Sequence, residues 1–451
     1  MPSLRAAALA VAVPLVFLHI RYQPSFTAGS SPSVTVTLAD LAVLAVGLLA
    51  LVEAVRTRLR PLRPGLPLWV AAAAFLLFGV ARASSGTHLV SAVKFAEYAA
   101  LAIAVPLLLR TRDDLAWVLR AVIAWTCVAT LVGLMQFFGV DVADGWGAGS
   151  RQPSFLGQLD FAALGGMAFA VGLCGLAFGA ERVAGRRVGP LRPGVVAGAG
   201  LVAGGLALIL SASVAALAGV AVAIAVAALA ALRGRRLGGR ALLAGALAAG
   251  LVAVGTLALR GGDLVQFTRF LGIAQKTESS KADVQTYTQR TVLVWIGWRV
   301  FLDHKAAGAG WGASADPAVF EPLLPAARKR YPDAAPLSFP SRKNPWGVQN
   351  AYVQALADLG LIGFLLFAAT LAAGLWVAVR ATLAATARAA REGAAGASAH
   401  VGVLGIGWIL VTMGIWAALG LISGVPADAA LWLGLGLGAA APLLTREEAS
   451  A

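Results

Sequence analysis

Residues 34–63 read VTVTLADLAVLAVGLLALVEAVRTRLRPLR, an apolar run over 34–55 closed by Arg56, Arg58, Arg60 and Arg63. A helix rising about 1.5 Å per residue needs about 20 apolar residues to cross about 30 Å of hydrocarbon. This stretch meets that length, and the basic cluster marks the end that stays in the cytoplasm. Eleven further runs in the chain have the same character: 6–20, 66–82, 91–109, 115–139, 158–180, 194–210, 212–232, 241–259, 350–379, 399–421 and 428–444. The stretch 194–232 is too long for one helix and is divided at Ser211-Ala212-Ser213. The expected fold is therefore all-α, a polytopic integral membrane protein of about twelve transmembrane helices and a single membrane domain over residues 1–451.

Composition agrees. The chain is 59% apolar and only 13% charged, about half the charge of a soluble domain, and its mean hydropathy is +0.81. The net charge of +15 does not indicate nucleic acid, because the basic residues sit in short clusters between apolar runs and form no groove. Cys127 and Cys174 both fall inside apolar runs and read as small buried hydrophobes, with no disulfide and no metal site. The first run lacks a cleavage site followed by a soluble domain, so it is read as a retained span.

Charge placement sets the orientation. With an even number of spans, the loops on the side of the termini hold nineteen basic residues: Arg5, Arg56, Arg58, Arg60, Arg63, Arg110, Arg112, Arg182, Arg186, Arg187, Arg192, Arg233, Arg235, Arg236, Arg240, Arg380, Arg388, Arg391 and Arg446. The short loops opposite hold three, Arg21, Arg82 and Arg151. This bias puts both termini in the cytoplasm. The long segment 260–346 is then a large extracytoplasmic loop, exempt from the charge rule by its length. Within it Thr286–His304 reads as a helix that offers Trp295, Trp298 and Phe301 to the membrane interface, and Tyr331–Pro345 reads as loop. A basic, aromatic-rich loop outside the membrane suits an amphiphile with an anionic head, a polyprenyl diphosphate above all. The same composition also describes a solvated loop without a ligand.

Several short motifs are arranged in order here. Arg151-Gln152-Pro153-Ser154-Phe155-Leu156-Gly157 precedes the central spans. Gln289-Arg290-Thr291, Trp295 and Gly308-Ala309-Gly310-Trp311-Gly312 follow in the loop. Gln349-Asn350-Ala351-Tyr352-Val353-Gln354 and Leu359-Gly360-Leu361-Ile362-Gly363 open the tenth span. In order, spacing and placement this set resembles the O-antigen ligase and O-antigen polymerase family over residues 151–363. The resemblance implies a membrane glycosyltransferase with a GT-C-like fold. It would move a glycan from an undecaprenyl diphosphate carrier to a lipid or glycan acceptor at the outer face of the bacterial plasma membrane. The diphosphate supplies the leaving group, so neither a cofactor nor a metal is expected, and membrane lipids are the remaining partners.

Under that resemblance Arg151, Arg290 and Arg342 are candidate diphosphate ligands, since guanidinium forks bind phosphate oxygens in pairs and offset charge growing on a leaving group. Arg151 also reads as a headgroup anchor, Arg290 as an ion-pair partner of Asp283 or a snorkelling side chain, and Arg342 with Lys343 as solvated charge. Gly308, Gly310 and Gly312 read as a tight turn, with close approach to substrate as the alternative. Gln349 and Asn350 are the candidate catalytic pair. The family commonly has His where Gln349 stands, and glutamine hydrogen-bonds a hydroxyl but cannot take its proton. Asp160, Asp316, Glu321 and His304 are the alternative bases. Val214 stands where the family often has Arg after a Ser-x-Ser. Lys94 and Glu97, three apart, read as a pair within one helix, while Asp40 and Asp358 have no assignment.

Three rivals follow. A lipid-linked saccharide flippase would need polar residues along a path through the bilayer. An inactive, substrate-binding relative is compatible with Gln349. A metal-dependent lipid-sugar transferase normally needs an acidic motif in the first outer loop, and residues 21–33 contain no Asp or Glu.

Overall fold

A computed structural model describes residues 3–27, 35–184, 192–233, 239–270, 273, 286–391, 399–421 and 427–444. Arg186, Arg187, Arg235, Arg236, Arg446 and Asp283 lie outside the described residues. The helices in chain order are α1 Leu4–Val16, α2 Leu38–Thr57, α3 Leu66–Ala81, α4 Gly86–Leu108, α5 Arg112–Phe137, α6 Gln158–Phe178 and α7 Ala180–Ala184. They continue with α8 Pro193–Ser211, α9 Val214–Arg233, α10 Gly239–Phe270, α11 Thr286–Asp303, α12 Pro317–Phe320 and α13 Leu324–Arg330. The chain then ends on α14 Ala351–Arg391, α15 Ala399–Trp416 and α16 Ala427–Leu444. Among the described residues nine helices are long and apolar enough to cross a membrane, and Leu4–Val16, Val214–Val226 and Asp428–Leu444 are shorter apolar helices. All twelve fall on the twelve apolar runs, so the protein is an all-α, multi-pass membrane protein. A small antiparallel ribbon, Ser25–Thr27 with Thr35–Thr37, joins α1 to α2.

Local signals place the helix starts. Thr37 with Asp40, and Thr111 with Asp114, form capping boxes at α2 and α5, each satisfying two backbone donors that a helix start leaves unpaired. Ala212, in left-handed conformation, ends α8 and divides it from α9 within Ser211-Ala212-Ser213, as expected. Two boundaries differ from expectation. α10 runs on past Arg260 to Phe270, and α14 extends to Arg391 but is broken at Gly360. Nothing in the apolar sequence around Gly360 signals that break.

α6 and α15 are the central helices, with 78% and 83% of their apolar windows buried. α6 lies against α8 through small residues: a Cβ at Gly172 would sit 2.5 Å from the Leu201 amide, and one at Gly204 would sit 2.4 Å from the Phe169 amide. Such close backbone approach replaces the hydrophobic drive that lipid does not supply between helices. At the basic end of α2, Glu53 accepts from Arg5, Arg56 and Arg110 at 3.3, 3.4 and 3.3 Å, tying α1, α2 and the start of α5 together. Inside the spans, Lys94 ion-pairs with Asp40 of α2 at 3.2 Å. The lysine thus reaches a neighbouring helix, whose capping carboxylate lies within its reach, while its charge also acts on Glu97 three residues on.

The described part of the large loop from Thr286 onward is folded. α11, α12 and α13 enclose a small core of Val292, Ile296, Val300, Phe320, Ala327 and Phe339. Trp295 turns inward onto Tyr331, while Trp298, 45% exposed, stacks on Phe301 at the outer surface. The segment after α11 then docks on the break in α14. The amides of Ala309 and Gly310 donate to the carbonyls of Ala357 and Asp358 at 2.9 and 2.8 Å. The amides of Leu361 and Ile362 donate back to the carbonyls of Lys305 and Ala306 at 2.8 and 3.1 Å. Arg82 adds two bonds to the carbonyls of Ala307 and Gly308, at 3.1 and 3.0 Å. Gly308, Gly310 and Gly312 have φ of 71, 126 and 78°, the tight turn expected, and Trp311 is driven into the helical core against Gly79 and Phe95.

Two predictions follow from this architecture. In a variant lacking the native cysteines, a cysteine at the exposed Leu337 labels with an impermeant thiol reagent in intact cells, and one at Arg58 labels only after permeabilisation; the reverse pattern would invert the orientation. Gly308 and Gly360 both have positive φ, and a Cβ on either would lie 2.3–2.4 Å from backbone of the other segment. Gly308→Ala and Gly360→Ala should each cost about 1–3 kcal/mol or more, read as a lower thermal midpoint and faster proteolysis in 305–346. Gly86→Ala, which meets nothing within 4 Å, is the matched control.

Candidate functional site

Beneath the cap, six parts of the chain converge on one cavity of about 410 Å³, within the usual range of roughly 300–1,000 Å³ for ligand sites. The start of α6 contributes Gln158, the start of α9 contributes Val214 and Ala215, and α10 contributes Arg260. α11 contributes Tyr287, Arg290 and Thr291, and Gln349 closes the wall ahead of α14 beside Ala417 and Ala418. Two lining residues are arginines and, among the described residues, none is acidic.

Each cation donates to a neutral oxygen. Arg260 is 3% exposed; its Nε donates to the carbonyl of Ala212 at 3.0 Å, and its guanidinium lies 5.3 Å from the centre of the Tyr287 ring. That carbonyl belongs to the C-terminal cap of α8, where helix carbonyls lack intrahelical donors. Arg290 donates from Nε to Gln349 Oε1 at 3.3 Å. Burial, with Arg260 and Arg151 nearby, pushes its pKa down to about 10, so it remains a cation at neutral pH. Arg151 donates from Nη1 to Gln158 Oε1 at 3.2 Å, and Gln158 Nε2 donates to the carbonyl of Ser211 at 2.8 Å. The start of α9, capped by Ser213 through the Ala216 amide at 3.2 Å, opens on the same space and adds the positive end of a helix dipole.

The cavity thus brings together Arg290 and Gln349 directly and Arg151 through Gln158. Asn350 is not in the lining. Its Oδ1 accepts from the amides of Tyr352 and Val353 at 3.1 Å each, and its Nδ2 donates to the carbonyl of Ala417 at 3.2 Å. It starts α14 and holds the opposite wall. Arg342 lies elsewhere, exposed and forked onto Glu321 at 2.7 and 3.0 Å, which holds that carboxyl below its ordinary pKa. Of the alternative bases, Asp316 caps α12, Glu321 pairs with Arg342, His304 ends α11 on the exposed side and Asp160 is buried in the first turn of α6. None of the four lines the cavity. Arg260 was not a sequence candidate: it stands where an apolar run ends and reads as the first residue of a loop. Its signal was that of an arginine directly at the end of an apolar run, a position that is costly unless used.

Residues 199–368 match the family model described as O-Antigen ligase, which overlaps most of the region whose motifs resemble that family. No curated protein matches the chain.

Arg290 makes a measurable prediction about stability. Its pKa in the fold lies below the ordinary arginine value, at about 10, so the folded state disfavours its charge at every pH below that and recovers the lost stability only at more alkaline pH. Arg290→Met should therefore raise the thermal midpoint of the ligand-free protein by a few degrees at pH 7. It should also shrink the further rise that millimolar inorganic diphosphate gives the wild type. A lower midpoint in the variant would identify Arg290 as a structural cation.

Proposed function

We propose that this protein, with its O-antigen ligase domain, transfers a glycan from a polyprenyl diphosphate carrier to a lipid or glycan acceptor at the outer face of the bacterial plasma membrane. The observation that carries this reading is a cavity lined by Arg260 and Arg290, bordered by Arg151, and free of acidic lining residues among those described. Such a site suits a compact dianionic or trianionic group, and its place between helix ends and a folded cap suits a head group whose tail stays in lipid. The charge bias of the loops supports the outer face.

In the proposed step an acceptor hydroxyl oxygen bonds to the anomeric carbon. The bond from that carbon to the diphosphate oxygen breaks, and the electron pair leaves with the carrier. The guanidinium groups stabilise the charge that grows on that oxygen, fixed in place before the reaction begins. Gln349 has its Oε1 engaged by Arg290, which turns its Nε2 amide into the group offered to a guest; it orients an oxygen and does not take a proton. The hydroxyl proton passes to an oxygen of the departing diphosphate, which becomes a stronger base as the bond breaks. Asn350 acts through the wall it holds and is a positioning residue.

Transfer assays on purified protein in lipid test the reading. Arg290→Ala should lower kcat about 10²–10³-fold, and Arg290→Lys should also be impaired, because a point charge does not reproduce the fork. Gln349→Ala should slow transfer only roughly ten-fold, the worth of one neutral hydrogen bond. Gln349→His should be tolerated and should introduce a dependence on pH near the imidazole value of about 6.5. Wild-type activity in both Arg290 variants would remove the arginine from the site. An inactive wild type that gains activity as Gln349→His would mark a substrate-binding relative.

A further inference from the structure

Between α5 and α6 the turn at residues 140–151 holds an indole out of the fold. Trp146 is 47% exposed, yet the backbone under it is fixed from several sides. Its amide donates to Gln152 Oε1 at 3.0 Å, and its carbonyl accepts from Ser150 Oγ at 3.2 Å. Gln152, wholly buried, donates from Nε2 to the carbonyls of Gly147 and Ser150 at 2.6 and 3.1 Å. The amide of Gly149 donates to the carbonyl of Phe137 at 2.8 Å. On the other side Asp144 pairs with Arg21 at 2.8 Å and its amide donates to the Tyr22 hydroxyl at 2.9 Å. A glutamine that gives both ends of its amide to one surface turn costs conformational entropy. That cost is expected where a side chain must be held in a set orientation; a simple membrane anchor does not need it.

The guanidinium of Arg151 lies 4.8 Å from the centre of the Trp146 ring, a cation–π contact, and the same guanidinium reaches Gln158 in the cavity wall. We propose that Trp146 is a stacking platform for the sugar ring bonded directly to the carrier diphosphate, an inference that rests on the cavity being the diphosphate site. A phosphate bound at the edge of Arg151 leaves the guanidinium face against the indole. The first sugar is joined to that phosphate through one oxygen, so it must sit among the groups around Arg151, of which the Trp146 indole is one. A pyranose presents a face of C–H groups, and the indole face carries the complementary negative charge and a large apolar area. Such a contact registers that a sugar ring is present and is tolerant of its hydroxyl pattern.

The test compares two probes on full-length protein in lipid nanodiscs, bare undecaprenyl diphosphate and the same carrier bearing one hexose. Trp146→Ala should weaken the hexose-bearing carrier roughly ten-fold and leave the bare carrier unchanged, and Trp146→Phe should keep most of the wild-type preference. Equal weakening of both probes, or of neither, would make Trp146 a headgroup anchor and overturn the platform while the diphosphate site stands. A wild type that binds neither probe would overturn the diphosphate reading, and the platform with it.

Discussion

A helix that is interrupted within a membrane protein leaves amides and carbonyls that lipid cannot satisfy. At Gly360 this chain meets that constraint with its own loop. Two carbonyls before the break accept from the segment at 309–310, and two amides after it donate to the segment at 305–306. Neither segment completes its hydrogen bonding alone, so the cap and the membrane domain fold as one unit. The exchange fixes α11, which carries Arg290, against the short outer piece of α14, ahead of which stands Gln349. The 3.3 Å contact between those two side chains is a consequence of backbone bonds made about one helix length away. Trp311, buried at the far end of the same segment, fastens it into α3 and α4.

The electrostatics of the side that carries the large loop is the second theme. Few basic residues are placed there in short loops, and each of the three has a specific task. Arg21 holds the turn beneath Trp146 through Asp144, Arg82 clasps the docked segment, and Arg151 borders the cavity. Arg260 and Arg290 then face one cavity with carbonyl, amide and ring partners and no carboxylate among the described lining residues. Charges gathered in this way oppose folding, a cost that an anion bound at the proposed site would offset.

The spans were legible because they depend on one dimension of information. An apolar run of sufficient length and a cluster of arginines at its end suffice, and the break at Ser211-Ala212-Ser213 follows from length alone. Pairing across the fold was not legible. Lys94 has Glu97 in sequence but gains Asp40 as well in space, and Arg342 resembles Arg290 in its setting until Glu321, twenty-one residues earlier, neutralises it. Arg260 was hidden because α10 continues for eleven residues past the end of its apolar run. The Gly360 break was hidden because Leu359 to Gly363 is uniformly apolar, and only the docked segment gives it a cause. Trp146 had no signal beyond an aromatic residue in a glycine-rich turn.

The concentration of guanidinium groups around one cavity has a consequence for turnover on the proposed reading. Once the leaving diphosphate gives up the proton it took from the acceptor, it carries one more negative charge than the donor did, so the site grips the spent carrier at least as firmly as the fresh one. Chemistry is then followed by a slow departure, as in many enzymes whose rate is set by release of product. An external process that removes or dephosphorylates the spent carrier would draw the cycle forward, and the pace of glycan assembly would be governed by carrier recycling as much as by bond formation.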